Sequence, residues 1–279
     1  MSGTLYVVGT PIGNLSDFSP RAVETLEQAD FIAAEDTRVT LKLLNHFGIK
    51  KPMVSYFEHN KYQRGEMICQ RILEGEICAL VSDAGMPAIS DPGEMLVAQC
   101  AEKGIPVAVV PGPSAVVSAL AVSGLPTGRF TFEGFLSTAK KSRREHLDEV
   151  RNEKRTMVFY EAPHKLPTTL EDMLAAWGDR RIAVVRELTK IHEEVRRTTL
   201  AEAAQYYREN TPKGEFVMVI EGAKEQQEEE MSLEQAVELA RELIQQGHSA
   251  SESAKQAAQL SGKKKGELYR LLMEEKEID

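Results

Sequence analysis

Apolar positions follow two rhythms along the first half of the chain. Short β-branched or continuous apolar runs at residues 4–8, 30–35, 52–56, 77–81 and 106–110 predict strands, most of them buried. Between them the apolar positions take helical spacing. Ser19 and Pro20 mark the start of one helix. Leu41, Leu43, Leu44 and Phe47 form the apolar side of a second, closed by Gly48. Met67, Ile68, Ile72 and Leu73 lie on a third, over residues 60–74. Asp91 and Pro92 open a fourth that stops at Gly104, and Ser114 is placed to cap a fifth over residues 115–122. Strand and helix in regular alternation predict a mostly parallel sheet. The uncharged stretch 105–125 is interrupted by Pro106, Pro111, Gly112 and Pro113, so it reads as a buried strand, a turn and a helix, not a membrane span.

Gly124 to Gly128 looks like a hinge. Beyond it, strands are predicted at 129–135, 156–160, 181–185 and 216–220, without even alternation, which implies a mixed sheet. The Gln/Glu run 225–230 reads as a linker. A helical module follows, with capping boxes at Ser232/Gln235 and Ser249/Glu252 and helices near 233–246, 252–260 and 264–275. The division is an α/β domain over 1–124, a second over 125–224 and a helical module over 232–279.

Three strands of the first half end in loops rich in Gly and Pro: 9–15, 82–93 and 111–115. Right-handed crossovers gather such loops on one sheet edge, where open α/β sheets bind ligands. The first loop is neither a GxxxxGK[ST] nor a GxGxxG phosphate loop, and one such loop is weak evidence; three together point to a small-molecule pocket.

The net charge of −9 excludes a uniformly basic nucleic-acid binder but leaves room for local patches. Two exist: Lys140, Lys141, Arg143 and Arg144, read as a basic loop, and Lys263, Lys264, Lys265 and Arg270 in the helical module. A solvated face is the plain interpretation; a phosphate-backbone grip is the functional one. The three cysteines have no CxxC spacing and are expected to be buried thiols in a reducing cytosol. The start lacks the pattern of a signal peptide, so a cytoplasmic location is expected. The six histidines are scattered, and no metal site is predicted.

Six stretches then stand in order: Thr-Pro-Ile-Gly-Asn-Leu from Thr10, Ala-Ala-Glu-Asp-Thr-Arg from Ala33, Ser-Asp-Ala-Gly-x-Pro-x-Ile-x-Asp-Pro-Gly from Ser82, Pro-Gly-Pro-Ser-Ala from Pro111, Phe-Tyr-Glu-x-Pro-His-Lys-Leu from Phe159 and Arg-Glu-Leu-Thr-Lys from Arg186. The set resembles the bacterial 16S ribosomal RNA (cytidine-2′-O)-methyltransferases of the tetrapyrrole-methylase fold, over nearly the whole chain. The resemblance implies two α/β domains with S-adenosylmethionine in the cleft between them, a homodimer, and a cytidine ribose of the small ribosomal subunit as substrate. The tail's own layout of short helix, Gly turn and basic helix is compatible with a helix-turn-helix as well as with a plain helical bundle. The resemblance places the cofactor on Pro11, Ile12, Gly13 and Asn14, on Asp83, Gly85, Met86, Pro87 and Ile89, and on Ser114 and Ala115. From the second half it adds Tyr160, Leu188, Gly214 and Glu215. Met86 departs from the small hydroxyl residue expected there: a backbone contact to the cofactor would change little, whereas a side-chain hydrogen bond would be lost.

Methyl transfer from a sulfonium needs alignment and a proton acceptor. Glu35, Asp36, Arg38 and Glu187 stand at strand ends as catalytic candidates, with Glu161 and His164 beside them. Each is equally readable as part of an internal ion-pair or capping cluster, and Arg38 as a phosphate contact. A tetrapyrrole-precursor methylase and a non-catalytic RNA-binding protein remain the alternatives.

Overall fold

A computed structural model describes residues 3–224 and 231–274. The chain divides into two compact units, 1–223 and 224–279. The predicted linker at 225–230 and residue 275 of the predicted last helix lie outside the described residues.

The first unit opens with β1 (Leu5–Val8), α1 (Pro20–Gln28), β2 (Phe31–Ala34), α2 (Thr37–His46), β3 (Met53–Ser55), α3 (Lys61–Leu73), β4 (Cys78–Val81), α4 (Gly93–Glu102), β5 (Val107–Val110) and α5 (Ala115–Ser123). The five strands form one sheet in the order β3-β2-β4-β1-β5, and every pair is parallel. Alternate strand residues point to opposite faces. Leu5, Phe31 and Ala33 pack with Ile68, Ile72 and Leu96 of α3 and α4. Val8, Ile32 and Ala34 pack with Ala22 and Leu26 of α1 and Leu44 of α2. Burial on both faces explains why these strands read as continuous apolar runs. The edge strands are the exceptions: β3 is half-buried along its length, and β5 has Val107 and Val109 exposed, which corrects its expected burial.

The second sheet uses β6 (Phe130–Phe135), β7 (Thr156–Glu161), β8 (Arg181–Arg186), β9 (Glu194–Thr199) and β10 (Phe216–Ile220), with α6 (Lys140–Glu149), α7 (Leu166–Trp177) and α8 (Leu200–Glu209) between them. Its order is β6-β7-β10-β8-β9. β6 and β7 are parallel and the other pairs antiparallel, so the sheet is mixed. The basic stretch predicted as a loop is largely the helix α6. One face of this sheet is covered by Leu170 and Met173 of α7 and by Ala203 and Tyr207 of α8. The other face takes Val116, Ala119 and Leu120 of α5 against Val158, Ala183, Val185 and Val217. α5 therefore follows a strand of the first sheet in sequence and packs on the second. That one helix joins the sheets and fixes the cleft between them.

The second unit holds α9 (Leu233–Gln245), α10 (Ala250–Ser261) and α11 (Lys265–Glu274) around Ala236, Ala240, Ala254, Ala257, Leu268 and Leu272. Ser232 and Gln235 form the expected capping box, and the Ser249 hydroxyl accepts from the Glu252 N–H. No helix among the described residues is long and apolar enough to cross a membrane.

Candidate functional site

Strand order brings the three Gly/Pro loops together, because β1 lies between β4 and β5. Backbone atoms then bind the loops directly. Thr10 N–H donates to Gly85 O at 2.9 Å, and Gly85 N–H to Thr10 O at 3.2 Å. A Cβ added to Gly9 would lie 2.7 Å from Gly112 Cα, so the first and third loops touch backbone to backbone. Met86 Sδ accepts the Gly112 N–H at 3.3 Å, which joins the second loop to the third. Met86, the departure from the expected hydroxyl residue, thus has a structural role: its thioether accepts a backbone N–H of the third loop.

These loops and the edge of the second sheet enclose a cleft of about 460 Å³, within the range for a small-molecule site. Of the residues implied by resemblance, Ile12, Asp83, Gly85, Met86, Ile89, Ser114, Ala115, Tyr160, Leu188 and Glu215 line it. Pro11, Gly13, Asn14, Pro87 and Gly214 do not. Asn14 caps a 3-10 turn by accepting from Ser16 N–H, and a Cβ at Gly13 would strike Leu188 O and Lys190. Ser114 sits at the start of α5 but its hydroxyl makes no capping bond, contrary to expectation, and it faces the cleft. The N-cap of α4 is Pro92 and not the expected Asp91, whose Oδ1 still accepts from the first helical N–H, Gly93, at 2.7 Å and from Ala88 N–H at 3.0 Å. Asp91, Phe135, Val185 and Val217 also line the cleft and were not among the sequence candidates. Asp91 was within reach, since it belongs to the motif that starts at Ser82. The others come from the second sheet, whose pairing the sequence does not reveal.

The lining carries five carboxylates, Glu35, Asp83, Asp91, Glu161 and Glu215, and no Lys, Arg or His side chain. Burial pushes Glu35 above the ordinary glutamate value, and the charges of Asp83 and Asp91 add to it. Burial likewise raises Asp83 and Asp91. Most of these groups are already engaged. Glu161 accepts from Ala162 N–H at 2.8 Å and from the Thr169 hydroxyl at 2.6 Å. Asp83 Oδ1 accepts from Asp36 N–H at 3.0 Å. Glu215 binds Lys190 Nζ at 3.0 Å. Glu35 has the weakest hold, a 3.5 Å bond from Asp83 N–H.

The other catalytic candidates fall outside the lining. Asp36 is the N-cap of α2, and Arg38 grips it through Nη2 at 2.6 Å, holding its carboxyl down at about 2. Glu187 is held low by Lys190 Nζ at 2.9 Å and also accepts Glu215 N–H at 2.9 Å. It is a lock between loops. His164 is exposed and away from the lining. No group of three or more His, Cys, Asp or Glu among the described residues is arranged to hold a metal.

The basic residues divide. Arg143 Nε binds Asp172 at 2.7 Å, and its side chain is 11% exposed; its Nη1 also reaches Ser137 O and Thr138 O. Its first role is to staple α6 to α7. Lys140, Lys141 and Arg144 are exposed. In the helical unit, Lys264, Lys265 and Arg270 are exposed and Lys263 is half-buried. The three cysteines are buried thiols, with the Cys69 and Cys100 sulfurs 3.7 Å apart.

Residues 4–204 match a sequence model of the family described as Tetrapyrrole (Corrin/Porphyrin) Methylases. The chain is 54% identical over 228 residues to the ribosomal RNA small subunit methyltransferase I of Halalkalibacterium halodurans, covering 82% of this chain and 79% of the relative. It is 46% identical over 230 residues to the protein of the same name in Escherichia coli O157:H7, with 81% and 80% covered. Among solved structures, uroporphyrin-III-C-methyltransferase of Thermus thermophilus superposes with a TM-score of 0.55 at 20% identity, over 78% of this chain and 94% of that one. A diphthine synthase gives 0.56 at 16% identity, with 79% and 90% covered. These distant structures share the fold.

Proposed function

We propose a substrate and a set of working residues for this chain, which belongs to the tetrapyrrole (corrin/porphyrin) methylase family and is an S-adenosylmethionine-dependent methyltransferase. Its reaction is 2′-O-methylation of a cytidine ribose in the decoding region of 16S ribosomal RNA. The observation that carries this reading is the charge of the cleft. Among the described residues Glu35, Asp83 and Asp91 line it without a salt-bridge partner, while Glu161 and Glu215 are paired with Lys165 and Lys190 from outside the lining. That lining suits a positively charged sulfonium and ammonium ligand. It opposes a polycarboxylate macrocycle, the substrate class of the tetrapyrrole rival, because like charges would meet in a partly buried site.

When bound, S-adenosylmethionine supplies an activated methyl group on a sulfonium. Ile12, Asp83, Gly85, Met86, Ile89, Ser114, Ala115, Tyr160, Leu188 and Glu215 hold it, with the Ser114 hydroxyl as a donor left free by the helix. Pro11, Gly13, Asn14, Pro87 and Gly214 set the backbone on which those contacts depend. Glu35 accepts the proton of the ribose 2′-hydroxyl: it lines the cleft, its carboxylate is the least engaged there, and its raised pKa suits a general base. Asp36 and Arg38 hold the Glu35 loop, and Glu187 holds the opposite loop.

The exposed basic residues Lys140, Lys141, Arg144, Lys264, Lys265 and Arg270, with Lys263, contact RNA phosphates. The enzyme acts in the cytoplasm on the small subunit. A second copy of the chain covers the β5 edge, where Val107, Val109 and Val117 are exposed; sedimentation of the protein as a monomer at micromolar concentration would rule that out.

The catalytic assignment is tested by E35Q. The expected loss in kcat is roughly 10²–10⁴-fold, with the S-adenosylmethionine Kd within about twofold of wild type. A variant with unchanged kcat removes Glu35 from the chemistry.

A further inference from the structure

Among the described residues, the most exposed large apolar side chain is Ile191, at 97%. It sits at the tip of the β8–β9 connection. A single exposed apolar residue on a slack loop needs no explanation. This loop is not slack. Glu187 and Thr189 both take left-handed backbone conformations, at φ 52° and 64°, which for residues other than glycine persist only where the surroundings impose them. Lys190 Nζ bridges Glu187 at 2.9 Å and Glu215 at 3.0 Å. Thr189 N–H donates to Glu193 at 2.6 Å, closing the loop on itself. The inner side of the same turn is Leu188, 9% exposed, which forms part of the cleft wall. Ile191 is three residue steps from Leu188, so the two Cα atoms lie within about 11 Å. The fold thus presents an isoleucine to solvent on a tethered turn, within about 11 Å of a residue of the cleft wall.

The geometry points to Ile191 as a wedge that inserts into the RNA base stack beside the target nucleotide and keeps it splayed, so that its ribose reaches Glu35. This rests on an rRNA ribose being the substrate. A 2′-hydroxyl within a folded helix reaches an enclosed cleft only when its nucleotide leaves the stack. Apolar side chains inserted between bases are an established way to hold such a step open. The ion-paired loop supplies the rigidity a wedge needs, because the side chain is positioned before RNA arrives.

The test uses the full chain and small ribosomal subunits reconstituted on 16S rRNA that carries 2-aminopurine next to the target cytidine. Wild type is expected to methylate the subunits and to raise the 2-aminopurine fluorescence. I191A is expected to lower kcat/KM for the subunits about ten- to sixtyfold, the range set by losing the burial of two to three methyl and methylene groups. It should also abolish the fluorescence rise, while the Kd for S-adenosylmethionine stays unchanged. I191L should retain both activities within about twofold. Wild-type rates and fluorescence in I191A would overturn the inference. So would a loss of activity with the fluorescence rise intact, which would assign Ile191 to a contact with ribosomal protein. If wild type itself transfers no methyl group to subunits, the substrate reading fails first and the wedge falls with it.

Discussion

At the scale of single residues, the cleft sets local stability against chemistry. Glu35 is raised by burial and by its acidic neighbours, so the folded chain binds its proton more tightly than the unfolded chain does. Its contribution to stability is fully present below the ordinary glutamate pKa of about 4.3 and is lost as pH rises through the folded value. E35Q, neutral at every pH, is therefore expected to melt higher than wild type near pH 7, with the difference vanishing below about pH 4. Thermal melts across that range check it; a lower Tm for E35Q at neutral pH would contradict the electrostatic account. Gly9 presents a different constraint. Its added Cβ meets Gly112 and Met86 Sδ at 2.7 Å, so G9A is expected to cost about 1–3 kcal/mol and to weaken cofactor binding as the three loops separate. Denaturant titration and calorimetry measure the two effects. Motif residues were legible because their types are unusual after strands: Gly, Pro and Asp in fixed order. Which carboxylate is free to take a proton was not legible, since that depends on bonds such as Glu187 to Lys190 and Asp36 to Arg38.

At the scale of elements, the parallel sheet was readable because its inner strands are buried on both faces and so lack polar interruptions. β9 was not readable. Its sequence, Glu-Val-Arg-Arg-Thr-Thr, is an edge strand with no apolar run. Nor does periodicity reveal that α5 packs on the sheet it precedes and not on the one it follows. The basic cluster shows the same limit: charge alone does not separate Arg143 from Arg144. Arg143 is shielded and bound to Asp172 and two carbonyls, so R143A is expected to destabilise the protein by about 3 kcal/mol. R144A should change stability by less than about 0.5 kcal/mol while weakening RNA binding. Equal stability losses for both would mean that α6 does not depend on that staple. Chemical denaturation of the two variants decides it.

At the scale of the molecule, an acidic chain must still approach a polyanion. The net charge of −9 repels RNA at long range, and the local basic groups must outweigh it at close approach. Replacing Lys263, Lys264 and Lys265 by Ala is expected to weaken binding to small-subunit RNA and to make the log–log salt slope shallower, by up to about 0.7 for each phosphate no longer neutralised. S-adenosylmethionine binding should be untouched, because the cleft lies wholly within residues 12–217. Unchanged affinity and slope would remove the helical unit from RNA binding. One reaction decides the function. Small subunits lacking their own ribose methylation, incubated with the protein and labelled S-adenosylmethionine and then digested to nucleosides, should yield labelled 2′-O-methylcytidine by mass spectrometry. Label in a base, in another ribose or in no nucleoside at all would contradict it.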